Sequence, residues 1–233
     1  MKQEVVVFSS NMSYGDLSQL ADAGISTAMR DLDDLSLFGI DINYVDSIRQ
    51  KNNTFKNFPT DEEYSGTVSK RTQEKNDLRN VVTKGISNIM IRVKNKYGAN
   101  SPEHKRFSAG NMHKDTDSDL VRLARRVTRL ASEYLSDLYE KGLRQAEIDG
   151  LNEQIDAFDK SIETKDQAVK ERDTATQQRA LLANEIYNLV TELFDYGKQR
   201  YIDTNEAKYN DYVIYSNQSS SMVDSEETDT TTE

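Results

Sequence analysis

Arg122, Arg125, Arg126 and Arg129 fall at i, i+3, i+4 and i+7, the spacing that lines up four guanidinium groups on one face of a helix. Guanidinium groups grip carboxylates and phosphates through paired N–H donors. One set of acceptors lies in the chain itself, where Asp22, Asp31, Asp33 and Asp34 fall in an early helical stretch. A second would be an acidic partner subunit, and a third the phosphates of a nucleic acid. No aromatic residues interleave with the arginines as a platform for bases. The stripe therefore reads first as a pairing surface for carboxylates, within the chain or on a partner. Nucleic-acid binding is the alternative.

Tyr209, Tyr212 and Tyr215 form a second cluster. Tyrosine is enriched at interfaces, so a recognition patch is one reading; closure of the end of a bundle is the other and is favoured. Other chemistries find little to work with. There is no cysteine, which removes thiolate zinc sites, disulfides and thiol nucleophiles. Neither His104 nor His113 has a glutamate three residues before it, as a di-metal bundle would require. Phosphate-cradling glycine loops and nucleophile elbows are missing. The adjacent carboxylates Asp33-Asp34 and Glu62-Glu63 diverge on a helix and read as solvated surface. The expectation is a protein without enzymatic activity, cofactor or metal.

Long helices must carry these residues. Apolar positions recur at helical spacing from Ser13, an N-cap, to about Phe38 before Gly39. Asp41 caps a second helix that Pro59 ends, and Thr60 with Glu63 forms a capping box for a third running to Tyr97 and Gly98. Ser101-Pro102 starts another helix, and Thr116 or Asp117 starts the arginine-bearing one, expected to continue to Gly142. The last helix is expected from about Gln145 to Ile202 as one continuous element, spanning roughly 85 Å at ~1.5 Å per residue, with a break near Glu163–Lys165 as the alternative. Its heptad-like seam turns polar at Lys165, Arg172, Thr176 and Arg179, which predicts a seam open to water at these positions. The tyrosine cluster alternates as an extended segment would. About four to six helices and at least ~70% helix are predicted from these stripes.

Composition agrees with this class. Among 233 residues, 36% are hydrophobic and 30% charged, with only 2 prolines and 10 glycines, too few turns for a sandwich or barrel. The expected organisation is an N-terminal segment at 1–12, one helical bundle domain at 13–215, and an acidic Ser/Thr-rich tail at 216–233 with nothing to bury. The net charge of −10 is unevenly spread: residues 1–64 hold 5 bases against 11 acids, and residues 84–129 hold 11 bases against 4 acids. No secretory signal or membrane-spanning run stands out, so membrane insertion is not expected and a cytoplasmic location is, with signal-independent export left open.

Two stretches, Tyr97-Gly98-Ala99-Asn100-Ser101-Pro102-Glu103-His104-Lys105-Arg106-Phe107 and Lys208-Tyr209-Asn210-Asp211-Tyr212-Val213-Ile214-Tyr215, resemble segments of uncharacterised bacterial all-helical proteins of similar size. The resemblance implies a helical fold and brings no activity or site residue. The sequence thus reads as all-α, an elongated antiparallel helical bundle with long coiled-coil-like helices. Its expected role is a structural or protein–protein interaction module, with a protein partner or self-association.

Overall fold

The computed structural model describes residues 7–214, and 81% of these are helical with no strand among them. Nine α-helices follow in chain order: α1 Tyr14–Arg30, α2 Leu32–Leu35, α3 Ile42–Lys56, α4 Asp61–Tyr97, α5 Pro102–Phe107, α6 Asp117–Glu133, α7 Leu135–Leu138, α8 Gln145–Tyr201 and α9 Glu206–Asp211. The fold is an all-α helical bundle, and α8 is one uninterrupted helix of 57 residues.

The helix ends follow the local signals. Ser13, Asp41, Thr60, Ser101 and Thr116 each accept a backbone N–H of the first turn, and the Thr60–Glu63 capping box is complete. Gly39 and Gly142 stop their helices at φ 85° and 83°, where a side chain would be strained.

The stretch read as one bundle at 13–215 divides into two compact units. Unit 1 comprises Met1–Asn57 and Ala180–Glu233; unit 2 comprises Phe58–Arg179. In unit 1, Leu17, Ala21, Ile25 and Ala28 of α1 bury against Val45, Ile48 and Phe55 of α3 and Ile186, Val190 and Leu193 of α8. In unit 2, Leu120, Ala124, Val127 and Ala131 of α6 share a core with Val82, Ile86, Ile89 and Val93 of α4 and Ile148, Leu151, Ile155 and Phe158 of α8.

The two units use the same plan. Asp16, Leu17, Leu20, Ala21, Ala28, Leu32, Asp34, Leu35 and Gly39 recur at one constant spacing as Asp119, Leu120, Leu123, Ala124, Ala131, Leu135, Asp137, Leu138 and Gly142. The match runs into the next helix, where Asp46 and Phe55 recur as Asp149 and Phe158. At a spacing one residue longer, Leu78, Asn80, Lys94 and Tyr97 recur as Leu182, Asn184, Lys198 and Tyr201. The geometry repeats with the letters. Ser13 and Thr116 each bond the following Asp carboxylate at 2.8 Å. Tyr201 Oη donates to Asp34 at 2.8 Å, and Tyr97 Oη donates to Asp137 at 2.8 Å. The chain is a tandem repeat. Unit 1 takes the first part of one repeat and the last part of the other, and unit 2 takes the remaining parts.

Three expectations are corrected. The first helix and the arginine-bearing helix do not run on to Gly39 and Gly142. Both break at matching positions, Asp31 (φ −106°, ψ 18°) and Tyr134 (φ −101°, ψ 16°). Each break redirects the next turn so that Leu35 and Ile40, or Leu138 and Leu143, reach the core. The segment around Tyr209 and Tyr212 is not extended: Asn205 caps the short helix α9, and Tyr212 ends it. Tyr215 and the tail at 216–233 lie outside the described residues.

The third correction is Arg179, expected to face water with Lys165 and Arg172. Its side chain is only 7% exposed; it pairs with Asp61 at 2.6 Å, donates to the Pro59 carbonyl, and lies over the Phe58 ring. A cation sits on the seam because the start of α4 supplies its acceptors, while the small residues Ala168 and Ala175 are buried earlier along α8. Replacing Arg179 by leucine leaves those acceptors without their donor and lowers stability by about 1–2 kcal/mol in urea denaturation. Lys165→Leu and Arg172→Leu, at half-exposed positions, stay within about 0.5 kcal/mol of the parent.

Candidate functional site

Helix α6 is packed against α4 and α8. Its start is fixed by Asp117, which accepts Lys75 and Arg79 of α4. Burial raises the Asp117 carboxyl, but these two cations outweigh it and hold it below its ordinary value. The apolar face of α6 is buried, so the arginines at 122, 125, 126 and 129 stand on its outer flank.

There the four differ. Arg122 is 85% exposed and reaches Asp119 at 3.2 Å; Arg129 is 68% exposed and reaches Glu133 at 3.4 Å. Both acceptors lie on the same helix, and such exposed pairs contribute ~0–1 kcal/mol. Arg126 donates to the Ser108 carbonyl at 2.6 Å. Arg125 binds Asp156 and Asp159 of α8, each at 3.0 Å, and the Asp159 hydrogen bond leads in raising its pKa. The arginines border a shallow groove with Ala109 and Leu123, and Asp115 and Asp119 on its rim.

The pairing expected for the stripe is real in kind and different in partner. Asp22 belongs to Lys56 and Asn52. Asp31 and Asp34 are taken by groups of unit 1, and Asp33 is exposed. The repeat explains Arg125. Its counterpart in α1 is Asp22, and the counterpart of Asp159 is Lys56, so the ion pair Arg125–Asp159 is the pair Asp22–Lys56 with its charges exchanged. Arg125 ties α6 to α8 as Asp22 ties α1 to α3. The other three arginines have Gln19, Ala23 and Ser26 as counterparts.

Of the tyrosine cluster, Tyr212 and Tyr209 pack within unit 1. Tyr212 is fully buried, packed edge-on to Phe194 and stacked on Tyr201 at 6.1 Å. Its Oη donates to Asp31 Oδ2 at 3.1 Å. The Asp31 carboxylate also takes Arg30 at 2.6 Å and Lys208 at 2.6 Å. Burial would raise this carboxyl, yet the three donors outweigh it and hold it at about 2. Tyr209 is half-buried beside this cluster.

Among the described residues no group of three or more His, Asp or Glu is placed to hold a metal, and no helix is long and apolar enough to cross a membrane. No family model, curated protein or solved structure matches the chain.

Proposed function

We propose that the chain is a non-enzymatic protein-interaction module, and that the outer flank of α6 is its binding face for an acidic protein surface. One observation carries this reading. The same helix is built twice, and the copy in unit 1 reaches the same length and core with Gln19, Ala23 and Ser26 where unit 2 has Arg122, Arg126 and Arg129. Unit 1 thus builds this helix without arginine at those positions. Arginine is favoured at protein interfaces, where its stem covers apolar surface and its head pairs with carboxylates.

A protein partner suits the face better than a nucleic acid. Asp115, Asp119 and Glu133 are interspersed with the guanidinium groups, so the flank is of mixed sign and forms no continuous cationic track.

The test compares a glutamate-rich peptide with duplex DNA in calorimetric titrations at low salt. Arg122→Glu with Arg129→Glu leaves the circular dichroism spectrum and unfolding midpoint unchanged and weakens peptide binding by about tenfold or more. Arg125→Ala has the opposite signature: it costs up to about 1 kcal/mol of stability and leaves binding largely intact. Binding of DNA with a steep salt slope and no binding of peptide would transfer the face to the nucleic-acid reading.

A further inference from the structure

A second face of the molecule also differs between the two units, and it has the opposite character to the arginine flank. In unit 1, Phe38, Tyr187, Thr191, Glu192, Asp195 and Tyr196 line a surface groove. Phe38 is 38% exposed, and its ring lies 6.2 Å from that of Tyr196. Glu192 accepts a hydrogen bond from Tyr44 Oη at 3.0 Å, and Asp195 pairs with Lys198 at 2.7 Å while remaining 64% exposed. The matching positions of unit 2 are Lys141, Thr83, Ser87, Asn88, Ile91 and Arg92. At these positions the aromatic rings and carboxylates belong to unit 1 alone.

We infer that this groove receives the Arg122–Arg129 flank of a second copy of the chain. The inference rests on the reading of α6 as a binding face and names its acidic partner. Guanidinium groups stack on aromatic faces and pair with carboxylates, and the groove offers both side by side. The charges of the two units agree. Among the described residues unit 1 carries 7 bases and 13 acids, whereas unit 2 carries 22 bases and 21 acids, with four of its arginines gathered on the α6 flank. Because flank and groove are different patches, the contact is head-to-tail, and each added copy leaves one of each patch free.

Sedimentation velocity of the full chain tests this. Wild type sediments faster as concentration rises and reverts toward monomer as salt is added. The flank variant (Arg122→Glu with Arg129→Glu) and the groove variant (Glu192→Lys with Asp195→Lys) are each monomeric, their self-association weakened by about tenfold or more. Mixed in equal amounts, they form a one-to-one dimer that does not grow, because each supplies the patch that the other lacks. Wild type that stays monomeric at low salt across the whole series overturns the inference. So does a mixture of the two variants in which no dimer forms. If wild type is monomeric while the flank variant loses the glutamate-rich peptide, only the self-association fails. If the flank variant keeps the peptide, the reading of α6 itself fails.

Discussion

Substituting Gly197 by alanine destabilises the protein by about 2–3 kcal/mol, although alanine is the better helix former by about 1 kcal/mol. Gly197 lies within α8, and the Tyr212 ring is seated directly on its backbone, so that a Cβ there would overlap the ring atoms nearest the tyrosine's own backbone. Those atoms cannot swing aside, because Phe194 and Tyr201 hold the ring on two sides. Moving Tyr212 also withdraws its hydroxyl from Asp31, which adds the cost of a buried acceptor losing a donor. Urea denaturation followed by near-ultraviolet tyrosine circular dichroism measures the loss. In a Tyr212→Ala background the same glycine substitution costs nothing further, as a double-mutant cycle requires of two groups in contact. Unit 2 shows the compensation already made: Val93 stands where unit 1 has Gly197, and Ser108 where it has Tyr212.

The second large effect is that of Asp31. Its side chain is fully buried among Arg30, Lys208 and Tyr212, so Asp31→Ala strands their donors and costs roughly 3 kcal/mol at neutral pH. The same carboxylate sets an acid limit. Its pKa falls from an ordinary 3.8 to about 2 in the fold. A carboxyl depressed in the folded state contributes stability that is fully present above its unfolded value and is lost as pH falls through its folded value. Stability therefore declines between about pH 4 and about pH 2. Asp31→Asn, which keeps the shape and part of the hydrogen bonding, flattens the part of that slope due to this one group. Thermal unfolding midpoints at a series of pH values give both numbers. An unchanged slope in Asp31→Asn would show that other carboxylates govern the acid limb.

Where a helix begins was legible because its signal is local. Ser13, Asp41, Thr60, Ser101 and Thr116 cap helices through atoms only three residues away. The breaks at Asp31 and Tyr134 were not legible, since what they achieve, bringing Leu35 and Ile40 or Leu138 and Leu143 into the core, depends on packing against helices distant along the chain. Arg179 misled for a related reason. A charge on a heptad seam argues for water unless a partner is known, and Asp61 and the Pro59 carbonyl become partners only once α4 and α8 are packed. The arginine stripe was visible as a face, but periodicity alone cannot say which of four equivalent-looking cations is structural. That distinction came from the repeat, in which Arg125–Asp159 mirrors Asp22–Lys56 while its neighbours mirror nothing charged. The repeat itself stands in the letters, with Gly39 against Gly142 and Tyr97 against Tyr201, and helical periodicity masks it because both halves share the same apolar rhythm.

The division of unit 1 between the two ends of the chain constrains how the protein is made. Unit 2 is one continuous stretch, Phe58–Arg179, and holds all of its core residues as soon as that stretch has left the ribosome. Leu17, Ile25, Ile48 and Phe55 emerge first and yet close last, because the side chains that cover them, from Ala183 to Tyr212, are translated after the whole of unit 2. At ~5–20 residues per second the wait is on the order of 10 seconds. During that interval the nascent α1 and α3 expose an apolar face that stays open to non-native contacts until the later part of α8 and α9 have been made.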